Sequence, residues 1–212
     1  MPGSFHSRFA PDDGIAIGPI LFVVAILAIL ATAIAAGSST FASSASQETN
    51  RTNAAAMISI GQNLKMGVDR IVALGTSIAN VDINTSNTTS NTALFSPVGG
   101  GLVPPARTLA ATPASDNWIY TYGAISGLGT ATGERLALLR VTQGVCNQIN
   151  AQVGVTYTLA GVDYGIFDNT TNLTTSSLPA AFSGKMVGCI QEASGDDATW
   201  DGYYFYQVLA VQ

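Results

Sequence analysis

The sequence predicts an α+β protein in which a long N-terminal hydrophobic helix packs by its C-terminal half on a small antiparallel β-sheet domain. An apolar run near the N-terminus carries no charge, apolar residues then recur at helical spacing, and the C-terminal third holds segments of strand composition. The predicted organisation is a leader at 1–14, a transmembrane or assembly helix at 15–36, an amphipathic helical continuation at 37–75 and an extracytoplasmic β-rich domain at 76–212.

The apolar run at 15–36 is predicted to be a membrane helix. Its 22 residues would cover roughly 33 Å as an α-helix, slightly more than the roughly 30 Å hydrocarbon thickness of a bilayer. No Asp, Glu, Lys or Arg occurs in residues 14–47, whereas a helix of a soluble domain usually carries a polar face within that distance. The rest of the chain is therefore expected to be carried by a membrane anchor.

Composition excludes several classes of function. Charged residues are 10% of the chain, and the net charge of -5 comes from 13 acidic and 8 basic residues without a Lys/Arg cluster, which argues against nucleic-acid binding. The single histidine, His6, lies in the leader, so neither a Ser-His-Asp nor a Cys-His catalytic group is expected in the domain. Two cysteines do not make a four-ligand zinc site. The sequence predicts no enzymatic activity, no cofactor and no metal.

Three alternatives remain open for the leader. It is part of a signal peptide cleaved after a small residue such as Ala36 or Ala45, it belongs to a retained anchor, or it is removed by cleavage after Gly14, which leaves Ile15 as the new N-terminus. The apolar run is longer than a signal peptide needs, which favours the last two. Two cysteines and five N-x-S/T triplets beyond the run fit an exported side, so the C-terminal domain is predicted to lie outside the cytoplasm.

An amphipathic helix is predicted beyond the apolar run. The small polar residues at 37–46 are a linker, a bend or a continuation of the helix. Apolar residues then recur three or four positions apart, so that one face of the helix should pack on another element: Met57, Ile60, Leu64, Val68 and Ile71. Gly75 is the expected C-cap.

The middle of the chain gives weaker signals. Residues 76–113 are predicted to be a loop that buries little apolar surface, and that contains either a functional surface or unrecognised short strands. A strand is expected at 118–122, a strand or one side of a helix at 134–141, and a short helix with Cys146 at 142–153. A further short strand is predicted at 157–160, followed by a polar loop at 168–177.

The C-terminal end is predicted to be an antiparallel hairpin of strands at 185–190 and 203–211, joined by a turn at 192–202. Acidic residues of this turn lack the ordered spacing of a calcium loop, and are interpreted as a solvated turn: Glu192, Asp196, Asp197 and Asp201. The aromatic run at 203–206 should point two rings at the core and two at the opposite face, where a partner contact is the alternative to burial.

The two cysteines, Cys146 and Cys189, are expected to form one disulfide on the exported side, with a free reactive thiol as the alternative. On the chain-entropy model, closing a loop of this length stabilises a fold by about 4 kcal/mol. That contribution matters in a domain with long polar loops.

Taken together, a leader ending in Gly14, an apolar helix starting at Ile15, an amphipathic continuation, a strand-rich domain and two C-terminal cysteines resemble the type IV pilin and pseudopilin superfamily. The resemblance implies a cleavage site for a prepilin peptidase-like enzyme between Gly14 and Ile15. It also implies that Cys146 and Cys189 staple the C-terminal region. Pro19 occupies the position at which most bacterial members carry a glutamate.

The function implied by this resemblance is that of a structural subunit of a type IV pilus-like or pseudopilus filament. Such a subunit is stored in membrane lipid, with its C-terminal domain outside the cytoplasm, and polymerises with identical or related subunits at the cell surface or in the periplasm. Gly18 and Pro19 would let the helix melt or kink as it repacks, while Ala25 and Ala28 would allow close helix approach. The alternative is a single-pass anchored extracytoplasmic binding or adhesion domain that does not polymerise.

Overall fold

The computed structural model describes residues 17–106, 117–123, 125–129, 133–157, 178–192 and 201–212, without the side chains of 17–19 and 35–43. The described part has the predicted α+β class, with helices and a four-stranded antiparallel sheet. Its elements, besides 3-10 turns at Ile78–Asn80 and Ala180–Phe182, are α1 (Ile17–Ala73), β1 (Ile119–Gly123), β2 (Glu134–Val141), α2 (Gln143–Gln152), β3 (Val187–Glu192) and β4 (Gly202–Ala210). The chain divides into two units, Met1–Ser46 and Gln47–Gln212.

The first unit holds the start of α1. The helical backbone continues through residues 37–46, so the helix continues there instead of giving way to a linker. Within the described residues, we find no helix whose length and apolar character suffice to cross a membrane. The leader and the first residues of the expected span at 15–36 lie outside the described residues.

In the second unit, α1 has the predicted amphipathic pattern. Four of its five expected face residues are buried, and Ile60 is half-buried. The helix approaches strand β4 closely at Gly61, where a Cβ atom would lie 3.0 Å from Cζ of Phe205 and 2.8 Å from Oε1 of Gln207. A side chain would therefore push α1 away from the sheet, and glycine permits the contact. The C-terminal half of α1 packs on the sheet, as expected.

The end of α1 is capped as expected at Gly75. This residue has a left-handed φ of +95°, and its N–H donates to the carbonyl of Val72 at 2.9 Å. The N–H of Thr76 donates to the carbonyl of Ile71 at 3.3 Å. These two bonds make a Schellman motif, which satisfies carbonyls that have no partner inside the helix.

The sheet has the order β1-β2-β4-β3, with every neighbouring pair antiparallel. The predicted C-terminal hairpin is confirmed, since β3 pairs with β4 from Val187 opposite Gln207 to Glu192 opposite Gly202. The segment at 134–141 is a strand, not a helix, and most of its residues are buried. A strand buried on both faces shows no alternation of polar and apolar residues, which is why the pattern left both alternatives open.

Both faces of the sheet are covered. On one face, Leu139 and Phe205 pack with residues of α1 and α2, while on the other Tyr204 and Tyr206 pack with Phe182. The rings of the aromatic run therefore alternate between the two faces, as predicted. The alternative of a partner contact by the second face of the run is wrong for Phe205, because α1 and α2 bury that ring completely.

The prediction that residues 76–113 bury little apolar surface is wrong for their described part. Four of their residues are buried against the face of α1 that carries Leu64, Val68 and Ile71: Val81, Ile83, Leu94 and Phe95. Backbone bonds hold the segment together, with the N–H of Asp82 bonded to the carbonyl of Thr92 and the N–H of Leu94 bonded to that of Asp82. These apolar residues follow no regular period, so sequence periodicity does not reveal them.

The remaining expectations have mixed outcomes. Helix α2 is confirmed, with Thr142 as its N-cap. Glu192 is buried at the end of β3, so its assignment to a solvated turn is wrong. Asp196 and Asp197, the loop at 168–177 and all but the first residue of the strand at 157–160 lie outside the described residues. The part of the chain that the structure describes contains no group of three potential metal ligands.

Candidate functional site

The apolar segment of α1, defined here as residues 20–34, exposes large hydrophobic side chains. Phe22 is 67% exposed and Ile34 is 70% exposed. Five consecutive residues, 20–24, are exposed, and successive residues of an α-helix point about 100° apart. Exposure therefore runs around the whole helix instead of along one side. Ala25 and Ala28, the small residues expected at helix contacts, are exposed as well.

The apolar segment has one polar side chain, Thr32, and its hydroxyl donates to the carbonyl of Ile29 at 2.8 Å. A hydroxyl bonded within its own helix can be taken out of water at little cost. Gly18 and Pro19 lie within α1, whose described residues begin at Ile17. Gly14 and Ile15 lie outside the described residues.

The C-terminal half of the domain is stapled by a disulfide between Cys146 of α2 and Cys189 of β3, the pairing that the sequence suggested. One turn further along α2, the amide of Asn150 donates to the carbonyl of Cys189 at 2.7 Å and accepts from its N–H at 2.8 Å. A buried side chain thus occupies both backbone groups on the outer edge of β3 at this residue. Asn150 was not predicted from the sequence, although its i+4 spacing from Cys146 places both on one helix face.

A buried arginine ties two parts of the domain together. Arg135 of β2 donates to the carbonyls of Val81 at 3.2 Å, Ala79 at 2.6 Å and Gly133 at 2.7 Å. Its guanidinium carbon also lies 4.3 Å from the centroid of the Tyr122 ring. Carbonyl dipoles and the negative ring face compensate the charge that burial deprives of water. Arg135 therefore fixes the 79–81 segment relative to strands β1 and β2.

Glu134, beside this arginine, is fully buried. Burial raises the pKa of its carboxyl, and the backbone N–H groups of Glu134 and Ile125 only partly counteract this by lowering it. Burial also raises the pKa of Tyr120, so its phenol stays protonated. Within the described residues, neither the Glu134 carboxylate nor the Tyr120 hydroxyl has a side-chain hydrogen-bond partner.

Two cavities open on the domain. A groove of about 510 Å³ lies between α1 and residues 100–105, and its apolar residues Met66 and Val103 are 60% and 84% exposed. A pocket of about 490 Å³ lies between residues 82–85 and strand β1. It is lined by polar and aromatic side chains, among them Asp82, Asn84, Thr85, Trp118, Tyr120 and Tyr122.

No protein-family model, curated protein or solved structure matches this chain. Function is therefore inferred from the residues themselves. Of the predicted site residues, the structure brings Cys146 and Cys189 together and places Ala25 and Ala28 on an exposed helix surface.

Proposed function

We propose that this chain is a structural subunit of a type IV pilus-like or pseudopilus filament, held in a membrane by its N-terminal helix before assembly and polymerising through that helix. The observation that carries the proposal is the apolar segment, whose large side chains are exposed on all sides. Burying apolar surface is worth about 25 cal/mol per Å². Such a surface requires a cover that the described part of the chain does not provide, and lipid or the helices of neighbouring subunits would supply it.

Small residues support the filament over a permanent anchor. Ala25 and Ala28 leave space for a neighbouring helix to approach closely, and close packing is what holds helices together where the hydrophobic effect between them is weak. Repeated head-to-tail contacts that do not close into a ring generate a helical filament. The apolar groove beside Met66 and Val103 offers a second contact between the domains of adjacent subunits.

The buried disulfide supports an extracytoplasmic domain, because disulfides persist in oxidising compartments. A reporter enzyme fused after Gln212 is therefore expected to be active only outside the cytoplasm. Activity of the same fusion inside the cytoplasm would reverse the proposed topology.

The decisive experiment compares two Ala→Asp substitutions on one helix. Ala28→Asp places a carboxylate in the apolar segment, which costs several kcal/mol in lipid or in a helix bundle, and is expected to abolish filaments. Ala55→Asp places the same charge on the exposed side of the domain part of α1 and should leave filaments intact. Both variants should keep the wild-type Tm of the domain. Normal fibres from Ala28→Asp, seen by electron microscopy of sheared cell-surface material, would refute the proposal.

Processing is tested separately by N-terminal sequencing of the mature protein. We expect it to begin at Ile15, and Gly14→Leu should block cleavage because a bulky side chain would stand at the scissile bond. A mature chain that begins at Met1 would indicate a plain anchor. A chain beginning beyond Ala36 would indicate a signal peptide.

The second candidate is an anchored extracytoplasmic binding domain that does not polymerise, and the pocket between residues 82–85 and β1 favours it. Purification separates the two functions. Recovery of the chain in sheared fibres supports the filament, whereas a detergent-soluble monomer as the sole form supports the anchored domain.

A further inference from the structure

The pocket between residues 82–85 and strand β1 has two walls of different chemistry. One wall carries the aromatic side chains of Trp118, Tyr120 and Tyr122, and the other carries the polar side chains of 82–85. Its volume of about 490 Å³ lies within the roughly 300–1,000 Å³ typical of small-molecule sites. We propose that this pocket binds a neutral saccharide. The inference does not depend on polymerisation, because a filament subunit and an anchored monomer would both carry the site.

The aromatic wall is held in place before any ligand arrives. Alternate residues of an extended strand share one face, which sets Trp118, Tyr120 and Tyr122 side by side. The rings of Trp118 and Tyr120 stack at 6.5 Å with an interplanar angle of 21°. Phe205 contacts the Trp118 ring edge-to-face at 6.0 Å, and Phe95 contacts the Tyr120 ring in the same way at 5.1 Å. A row of fixed aromatic rings suits a pyranose, whose C–H groups stack on the negative face of a ring.

The polar wall is also fixed. The carboxylate of Asp82 accepts from the N–H of Asn84 at 2.8 Å and from the side-chain amide of Asn87 at 2.6 Å. The side-chain oxygen of Asn84 accepts from the N–H of Ser86 at 2.9 Å. Each carboxylate oxygen keeps a second lone pair, and Thr85 adds an exposed hydroxyl. Sugar hydroxyls both donate and accept, so they can pair with a carboxylate, an amide and a hydroxyl at once.

Arg135 links the two walls and restricts the charge of the ligand. It binds the backbone of Ala79 and Val81, just before the polar wall, and its guanidinium lies over the ring of Tyr122. That cation already interacts with the Tyr122 ring, so a second cation on the same ring would be repelled. An anion would be repelled by Asp82. Arg135 and Asp82 have opposite signs, so the pocket carries no net charge that would select an ion over a neutral ligand.

Unused hydrogen-bonding capacity lies in the same residues. The indole N–H of Trp118 and the hydroxyl of Tyr120 are buried and have no hydrogen-bond partner within the described part of the chain. Buried polar groups are nearly always paired in folded proteins, and leaving one unpaired is costly. Since neither atom reaches the surface, the proposed sugar would contact the rings and not these two groups. Tyr122 is 46% exposed, which leaves its ring accessible for stacking.

The test is saturation-transfer NMR on the full chain, in a detergent without a sugar head group. The probes are glucose, galactose, mannose, N-acetylglucosamine, lactose and cellobiose, with tetramethylammonium and sialic acid as charged comparisons. At least one neutral sugar is expected to bind with a Kd on the order of 1 mM, and neither charged probe should bind as tightly. If none of the neutral sugars binds, or if tetramethylammonium binds best, the proposal is overturned.

Variants locate the binding in this pocket. Tyr122→Ala should weaken the bound sugar about tenfold, whereas Tyr122→Phe should stay within about threefold because the stacking ring remains. Thr85→Val, an exposed change that removes one hydroxyl, should weaken binding about threefold to tenfold without altering the Tm. Leu74→Ala, an exposed change outside the pocket, is the control and should bind as the wild type does. Unchanged affinity in both Tyr122→Ala and Thr85→Val would place the sugar elsewhere and end the proposal.

Discussion

Two parts of helix α1 have the same backbone conformation and opposite surfaces. In the apolar segment, large side chains are exposed around the whole helix, whereas in residues 54–71 a stripe of buried side chains faces the sheet and Lys65 and Asp69 pair on the outside at 2.7 Å. Both parts are helical, so helix formation alone does not determine how a helix is covered. The domain covers the buried stripe, whereas the described part of the chain leaves the apolar segment exposed, and lipid or neighbouring helices are its proposed cover.

The largest effect on stability is expected from an Ala→Asp substitution within the buried stripe of α1. Ala54 is fully buried in the cluster that joins α1 to the sheet, so Ala54→Asp would bury an unpaired charge and cost roughly 5 kcal/mol or more. Denaturant unfolding of the full chain should find the domain unfolded or close to it. Ala55→Asp, one residue away and exposed, should change stability by less than about 0.5 kcal/mol. A wild-type midpoint for Ala54→Asp would remove the distinction between the two parts of α1.

The next largest effect is expected from removing the disulfide. Replacing Cys146 and Cys189 by alanine opens a loop with a sequence separation of 43, which should cost about 4 kcal/mol. Only the striped part of α1 depends on the domain for its cover. The near-UV circular dichroism of the domain should therefore melt earlier, while helical far-UV signal from the apolar segment persists in detergent. Simultaneous loss of both signals would show that the two parts fold as one.

A smaller loss of stability is expected from Asn150→Ala. This substitution leaves the N–H and carbonyl of Cys189 without their hydrogen-bond partner and should cost about 2 kcal/mol. Thermal unfolding of oxidised protein measures this effect with the disulfide intact. Gln152→Ala is the matched control, because its exposed amide donates to the carbonyl of Arg51 at the surface. Equal Tm values for the two variants would mean that the buried amide of Asn150 stabilises the domain no more than an exposed amide does.

The smallest effect is expected from Glu134→Gln, and it depends on pH. Burial raises the pKa of Glu134 in the folded state, so folding favours the neutral form of its carboxyl. The stability tied to that neutral carboxyl is complete below the usual Glu range of about 4 and is lost as the pH rises through the folded pKa. Glu134→Gln should therefore raise the Tm by a few degrees at neutral pH and lose this advantage in acid.

Glu48→Gln, at an exposed side chain, is the control for that measurement. An advantage of Glu134→Gln that grows toward acid would contradict the assigned direction of the pKa. Because Glu134 lies in the domain, the change should leave the apolar segment and its covering unaffected.

The sequence predicted those parts of the fold that depend on local pattern. The buried stripe from Met57 to Ile71 follows from helical periodicity, and the hairpin of β3 and β4 follows from its β-branched and aromatic composition. Strand β2 remained ambiguous because it is buried on both faces. The burial of Val81 and Phe95 could not be predicted, since it depends on contacts with α1 that no local spacing encodes.

The apolar segment and the pocket also differ in whether local sequence pattern predicts them. The apolar segment is a local property, which explains why sequence alone pointed to it. The pocket is not local, because Asp82 and Tyr120 are far apart in the chain and are brought together by the fold, in which Arg135 binds the neighbouring 79–81 segment. Its sequence signal is the aromatic alternation of Trp118, Tyr120 and Tyr122, which predicted a strand but not the wall opposite to it.

The amide of Asn150 has a consequence for how copies of this chain meet. Among the described strands, β3 is an edge of the sheet, and free edges recruit strands from other molecules, which leads to aggregation. At Cys189 both backbone groups on that edge are already bonded to Asn150, and the disulfide holds α2 in place beside them. Another strand cannot pair there unless α2 is displaced. The side chain of Asn150 therefore protects this point of the sheet edge against pairing with a strand of another molecule.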